Sequence, residues 1–444
     1  MKERLGAEYP AFKEALEAEP VVSVRMNVAK SLVAGGEQRV ESSVQSQVAG
    51  FTGTSIPWCS TGLYLPERPV YTLDPTFHAG AYYVQEASSM FLEQAVRASV
   101  DLSQSLRVLD LCAAPGGKST HLLTLINHKS ILVSNEVIRT RASILSENVQ
   151  KWGTPNVIVT NNDPKDFTTL NGYFDLIVVD APCSGEGLFR KDEAAIDEWS
   201  EDNANLCSLR QRRILSDMWP ALKENGALIY CTCTYNEAEN EDNLVWLSQQ
   251  KDVEFIEMKS FDGVQKVEKE KAIGYRFMPH KVNGEGFFIS AIRKVSKEST
   301  VRLSRDILKE ARNNPSWLHH DYKYYQLNDL LITVPIEEMM SIPNLDIVTR
   351  GVAVATVKGN KFIPEHALAL SHVAKGDAFP LMNVDRHEAL QYLSKDTLTP
   401  KTDEKGFALV TYEGLHLGFV NRLGNRINNL YPANWRIRMS IKGT

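Results

Sequence analysis

The stretch Arg107-Val-Leu-Asp-Leu-Cys-Ala-Ala-Pro-Gly-Gly-Lys-Ser119 decides the fold class of this chain. Leu106 to Leu111 reads as a central parallel strand and Lys118 to Ile126 as the helix that follows it. The Pro-Gly-Gly between them permits close backbone approach. Free N–H groups and the positive end of a helix dipole at such a turn favour an anionic or nucleotide-like ligand. Gly117-Lys118-Ser119 imitates the end of a phosphate-binding P-loop, but the first glycine of that pattern falls on Cys112, so the reading fails. The three glycines of a dinucleotide-binding turn are also missing.

Outward from this stretch, strand and amphipathic helix alternate. Ile131 to Asn135 reads as a strand. Ile138, Ala142, Leu145, Val149 and Trp152 then mark one helical face at spacings of 4, 3, 4 and 3, stopped by Gly153 and Pro155. Asn156 to Thr160 and Phe174 to Val179 read as further strands, the second apolar but for Asp175 as when both faces are covered. Leu215, Met218, Trp219 and Leu222 place a stripe on another helix, ended by Asn225-Gly226 before the strand Ala227 to Cys231, and Phe287 to Ile292 closes the series. Such repetition predicts an α/β fold with a doubly wound sheet.

On either side the pattern changes. Residues 1–70 read as a small N-terminal module with a strand in Val21–Val28 and loops at Gly35, Gly36 and Gly50, and 71–295 as the α/β domain. The run His78 to Phe91 offers Tyr82, Tyr83, Gln85 and Glu86 as contacts to base, ribose or cofactor, or as packing residues. Residues 296–375 read as a connecting region of short helical and aromatic character, and 376–444 as a β-rich module. Residues 401–444 hold seven Lys or Arg against three Asp or Glu, a basic stretch in an otherwise acidic chain of net charge −6.

With 444 residues, 43% hydrophobic and 23% charged, the composition is globular and spans several domains. No apolar run reaches the length of a membrane span, and a cytoplasmic location is expected. Six cysteines are too few for a disulfide scaffold. No metal is expected, because the Cys-x-Cys of 231 and 233 has no evident second ligand pair.

In an open α/β sheet, ligands lie beyond the carboxyl ends of the strands. Those ends carry the glycine loop, Glu136, Asp163, Asp180-Ala-Pro-Cys183 and Cys231-Thr-Cys233. Glu136 lies 19 positions after Gly117, where such folds place an acid facing ribose hydroxyls. Asp163 is either a partner for an adenine amino group or turn chemistry. Cys183 and Cys233 follow strands that should reach one edge of the sheet, so two thiols are expected in one pocket, with Asp180 beside them. Cys112 and Cys231 read as packing or backbone positions and Cys207 as a helix residue.

Asp180-Ala-Pro-Cys-Ser-Gly-Glu-Gly187, Thr232-Cys-Thr-Tyr-Asn-Glu-Ala-Glu-Asn-Glu241, Arg276 to Phe288 and the loop Asp110 to Lys118 stand in the order of the Sun family, which they resemble. These are S-adenosylmethionine-dependent RNA cytosine-5 methyltransferases with a Rossmann-like sheet. The tail Leu417 to Pro432 is similar to the PUA-like RNA-binding end of a bacterial 16S rRNA methyltransferase subgroup. The resemblance implies S-adenosylmethionine as methyl donor and S-adenosylhomocysteine as product. It implies a cofactor site of Cys112, Ala113, Ala114, Pro115, Gly116, Gly117, Lys118, Glu136, Asp163 and Asp180. It further implies Cys233 as the nucleophile that adds to carbon 6 of cytosine, with Cys183 releasing the adduct, Asp180 bonding the base and Lys118 supporting it. The implied partner is RNA, 16S rRNA or the small ribosomal subunit, with no DNA and no membrane, acted on by a monomer. Competing readings are a DNA cytosine methyltransferase using Cys183 as nucleophile, a tRNA or other RNA methyltransferase, and a non-catalytic ribosome assembly factor.

Overall fold

A computed structural model describes residues 1–31, 51–301, 310–342 and 345–441. The loops expected at Gly35, Gly36 and Gly50 lie outside the described residues. At the centre five parallel strands stand side by side: β1 (Arg107–Asp110), β2 (Ile131–Asn135), β3 (Val157–Thr160), β4 (Phe174–Asp180) and β5 (Leu222–Thr232). Their order is β3-β2-β1-β4-β5, with β6 (Phe287–Lys294) antiparallel against β5. The chain winds one way from β1 to β3 and the other way from β4 to β5, so the order reverses between β1 and β4, where ligands of such sheets bind.

Strand periodicity divides the core into two layers. Val108, Leu132, Leu176 and Ile229 point to one side and pack on α1 (Gly117–Leu125), α2 (Arg139–Trp152) and the helix Leu92–Ser99. Their neighbours Leu109, Val133, Ile177 and Leu228 point to the other, toward α3 (Glu201–Met218) and the helix Glu241–Gln250. Both faces are covered, which is why β4 reads as an apolar run from Leu176 to Val179.

Several boundaries differ from the sequence reading. The N-terminal sheet joins Ser23–Met26 to Thr54–Ser55, Gly62–Tyr64 and Tyr82–Val84, and so extends past residue 70. Tyr82–Val84 is therefore a strand of that sheet, and a 3-10 turn over Ser88–Phe91 leads from it into the helix Leu92–Ser99. Helix α3 stops at Met218; Leu222 already belongs to β5, where Asn225 at φ 60° and Gly226 lie within the strand. Ile138 leaves the helical face assigned to it: it precedes α2 and is half exposed.

The connecting region is mainly strand, with a four-stranded sheet of Tyr325–Leu327, Leu330–Thr333, Val352–Lys358 and Lys361–Pro364. Its Ile347–Arg350 pairs antiparallel with β3 and extends the central sheet. The β-rich C-terminal module, built on Lys405–Tyr412 and Leu415–Leu423, packs back on the N-terminal sheet. Val24, Met26, Leu63 and Tyr82 share one apolar cluster with Leu390, Leu393, Val410 and Leu417. Among the described residues no helix is long and apolar enough to cross a membrane.

Candidate active site

Register explains the site. Asp180, the last residue of β4, sits beside Cys231 of β5, so the chain segments leaving these parallel strands run on together. Cys183 and Cys233 consequently meet, their sulfurs 3.1 Å apart and not bonded. The approach is close because Gly187 lacks a side chain: its N–H donates to the Cys233 carbonyl at 2.9 Å, and a Cβ there would lie 2.8 Å from that oxygen and 2.3 Å from the Gly286 carbonyl.

Buried polar groups hold both cysteine segments. The Glu239 carboxylate accepts from the Ser184 N–H and hydroxyl and from Gln211, whose amide also donates to the Pro182 carbonyl. Asn240 accepts from the Thr232 hydroxyl and donates to the Thr234 carbonyl, bracketing Cys233. Glu186 accepts from the Tyr235 N–H and the Trp199 indole. The hydrogen bond to Cys233, with burial behind it, pushes the Cys183 thiol well up, so Cys183 is a sulfur that keeps its proton.

A cavity of about 550 Å³ runs along the strand ends from Leu111, Cys112 and Ala114 past Glu136, Ile138 and Asp163 to Asp180, Cys183 and Cys233. Of the expected cofactor residues, Cys112, Ala114, Glu136, Asp163 and Asp180 line it, whereas Ala113, Pro115, Gly116, Gly117 and Lys118 do not. Gly116, at φ 118°, faces Leu145 and Asn148 of α2, and Gly117 faces Tyr83 of the N-terminal sheet, so both glycines allow close packing behind the turn. Tyr82 donates to Asp74, Gln85 accepts from Arg25 and Glu86 accepts from the N–H groups of Ser88, Ser89 and Glu285; none of these, nor Tyr83, lines the cavity.

Glu136 is 3% exposed, accepts from the Ile138 N–H at 2.9 Å and faces Arg141 at 3.4 Å. Arg141 in turn donates to the Ala114 carbonyl. Asp163 is held by Arg213 at 2.6 and 2.8 Å; despite some burial, these bonds keep its carboxyl below the usual range. Lys118 reaches Asp180 at 2.8 Å and lies over the Phe287 ring. Burial opposes the Lys118 charge, but Asp180 outweighs it and the ammonium is held more firmly than usual. Cys231 and Cys207 are buried, as expected of packing residues.

One residue at the base of the site escaped the sequence reading as a functional group. Asp110 ends β1 fully buried; Ser119 donates to one of its oxygens at 2.6 Å, and the other has no partner among the described residues. Burial, with Asp180 and Glu136 nearby, pushes its pKa up to about 7. The folded state then binds the proton more tightly than the unfolded chain, so this group's contribution to stability is greatest below pH ~4 and declines as pH rises toward about 7. Asp110→Asn should flatten the fall of Tm between pH 5 and 7.5, removing a change of at most about 3 kcal/mol over that window. An unchanged Tm profile would refute the assignment.

Comparison with known proteins bears on this geometry. Three family models match: the N-terminal domain of 16S rRNA methyltransferase RsmF over residues 1–87, 16S rRNA methyltransferase RsmB/F over 98–293, and the methyltransferase RsmF PUA domain over 379–437. The ribosomal RNA small subunit methyltransferase F of Vibrio vulnificus strain YJ016 is 30% identical over 411 residues, 87% of this chain and 86% of that protein. The chain belongs to the ribosomal RNA small subunit methyltransferase F family. Its relative in Escherichia coli O1:K1 is 29% identical, covering 92% of this chain and 89% of that one. Among solved structures, a methyltransferase homolog from Pyrococcus horikoshii superposes with a TM-score of 0.55 at 28% identity, over 65% of this chain and 91% of that one. The NSun6 structure from the same organism has a TM-score of 0.54 at 20% identity, a likeness of fold. The family is one of S-adenosylmethionine-dependent methyltransferases, and the α/β sheet with flanking modules is the fold expected of it.

The cavity fits that cofactor. Val137 and Ile138, apolar and about half exposed, form a wall beside the buried Glu136 carboxylate, the combination an adenosine requires. Asp163 is already engaged by Arg213, which favours a role in shaping the wall.

Proposed function

We propose that this protein forms 5-methylcytosine in small-subunit rRNA through a covalent adduct between Cys233 and carbon 6 of the target cytosine. The observation that carries the reading is the 3.1 Å approach of Cys183 and Cys233 at one end of the cavity that holds Glu136 at the other. S-adenosylmethionine, when bound, supplies an electrophilic methyl group. Carbon 5 of cytosine is a poor nucleophile until a thiolate adds to carbon 6 and makes the ring an enamine. Cys233 forms that S–C bond, and loss of its thiol proton is balanced by protonation of N3 as charge develops on the ring. Asp180 accepts from the amino group and from the N3–H so formed, and Lys118 fixes the carboxylate. After transfer solvent or a nearby base takes the carbon 5 proton, and the C5–H electrons expel Cys233 as a thiolate; the Cys183 S–H adjoins that sulfur at 3.1 Å and stabilises it as it leaves.

The target base must leave its stack, which costs a few kcal/mol unless it is single-stranded. A second hollow, of about 530 Å³, lies beside the Cys233 segment, with Phe12 and Tyr235 buried at its base, and offers the partly exposed rings of Phe189 and Trp199 to neighbouring bases. We assign residues 98–293 to catalysis and the N-terminal and PUA-like parts to RNA, with a monomer acting in the cytoplasm. Bisulfite sequencing of rRNA from a deletion strain should show one or a few unprotected decoding-region cytosines, restored by the wild-type gene and not by Cys233→Ala. Unchanged 16S rRNA together with a lost site in tRNA would transfer the activity to that substrate.

The basic tail narrows to a few groups. Arg422 pairs with Glu404 and Lys401 with Glu388, whereas Arg436 and Arg438 stand exposed on either side of buried Ile437. Arg436→Glu/Arg438→Glu should weaken rRNA binding uniformly and reduce its salt slope by about 2, at roughly 1 per phosphate contact, while cofactor affinity is unchanged. Equal salt slopes for variant and wild type would remove the tail from the interface. Point changes are the appropriate test, because deleting the module would strip the apolar cluster it shares with the N-terminal sheet.

A further inference from the structure

Away from the cavity, three side chains from separate segments converge in the interior. Cys59 comes from the N-terminal module, Glu93 from the helix Leu92–Ser99 and His121 from α1. All three are buried, and their ligand atoms lie within 4.8 Å of one another. Cys59 Sγ is 3.7 Å and Glu93 Oε2 3.6 Å from the same ring nitrogen, His121 Nε2.

This is not the arrangement of a hydrogen-bonded triad. There the base presents one nitrogen to the thiol and the other to the acid; here both partners crowd Nε2, and Nδ1 has no partner among the described residues. The 3.6 Å gap to the carboxylate also exceeds an N–H···O hydrogen bond, about 2.7–3.2 Å. Ligands about 2.0–2.3 Å from a tetrahedral ion stand roughly 3.3–3.7 Å apart, and the two contacts to Nε2, at 3.6 and 3.7 Å, match that spacing.

We infer that Cys59, Glu93 and His121 form a structural site for a divalent cation of the zinc class. The hydroxyls of Ser60, 3.3 Å from Glu93 Oε2, and Thr61, 3.9 Å from Cys59 Sγ, are available for a fourth position. Uptake replaces the Cys59 S–H by an S–metal bond and releases one proton to solvent. Thiolate and carboxylate together balance the ion's two charges. The opposing cation is buried Arg25, whose guanidinium is spread over Gln85, Thr120, Thr124 and the Gly117 carbonyl; Arg97 lies on the outer side of Glu93. The ion would clamp the N-terminal module to α1, one turn from Lys118. The sequence expectation of no metal considered cysteine spacing alone, and these ligands are far apart in the chain.

The test is metal content and cobalt titration of the full-length protein, with no activity readout. Purified wild type should carry close to one zinc, and after chelation Co²⁺ should give a thiolate-to-metal charge-transfer band with tetrahedral d–d absorption. Cys59→Ser should lose the charge-transfer band and His121→Gln should weaken Co²⁺ affinity at least tenfold, while Cys207→Ser retains both signals. A wild type that holds no zinc and develops no band with Co²⁺, or a band that survives Cys59→Ser, overturns the site whether or not the variants fold well. Methylation in either case is read separately by bisulfite sequencing.

Discussion

Cys233→Ala is expected to abolish methyl transfer and leave no protein–RNA adduct, with a loss on the order of 10⁴-fold or more, the scale on which removal of a covalent nucleophile is felt. Cys183→Ala should behave differently. Cys233 can still add to carbon 6, but the sulfur that adjoins it at 3.1 Å is gone, so the methylated adduct persists and runs as a slow band on a denaturing gel. Single-turnover assays with labelled methyl donor and rRNA distinguish the two. An adduct trapped by Cys233→Ala and none by Cys183→Ala would make Cys183 the nucleophile, the order of a DNA cytosine methyltransferase. Normal turnover in both variants would end the covalent mechanism.

Asp180→Asn is expected to lower kcat by about 10²–10³-fold, the usual cost of removing one charge-stabilising group from a site. Asp180 holds Lys118 at 2.8 Å, and Lys118 is largely buried. The neutral amide leaves that ammonium without its counter-charge, a destabilisation of up to about 3 kcal/mol, kept below the range for fully buried pairs because Asp180 is a third exposed. Lys118→Met in the Asp180→Asn background should recover part of the Tm and none of the rate. Recovery of the rate would show that Asp180 acts only by neutralising Lys118.

Much of the catalytic domain was legible because strand and helix declare themselves locally. The spacing from Ala142 to Trp152 marks a helical face whatever lies beneath it, and β4 reads as apolar on both sides because it is covered on both. Ile138 shows the limit: an apolar side chain at the right interval lines the cavity, since it precedes the first turn of α2. Glycine chemistry was legible as close approach but not as to what approaches. Gly116 and Gly117 make room for Leu145 and Tyr83, while along this loop the cavity is lined only as far as Ala114. Residues 310–374 were misread because short β-branched runs separated by aromatics have no period long enough to separate strand from helix.

From the order of its residues alone the chain determined its strands, the turn after β1, and which side chains stand at strand ends. Tertiary structure decided which of these ends face one another. Cys183 and Cys233 touch because β4 and β5 are parallel neighbours in register, and Glu136 reaches the same cavity because β2 lies across the point where the winding reverses. Cys59, Glu93 and His121 meet only where two helices and a loop close over one spot. Periodicity is local and survives in the sequence, whereas proximity between distant segments depends on how whole layers pack.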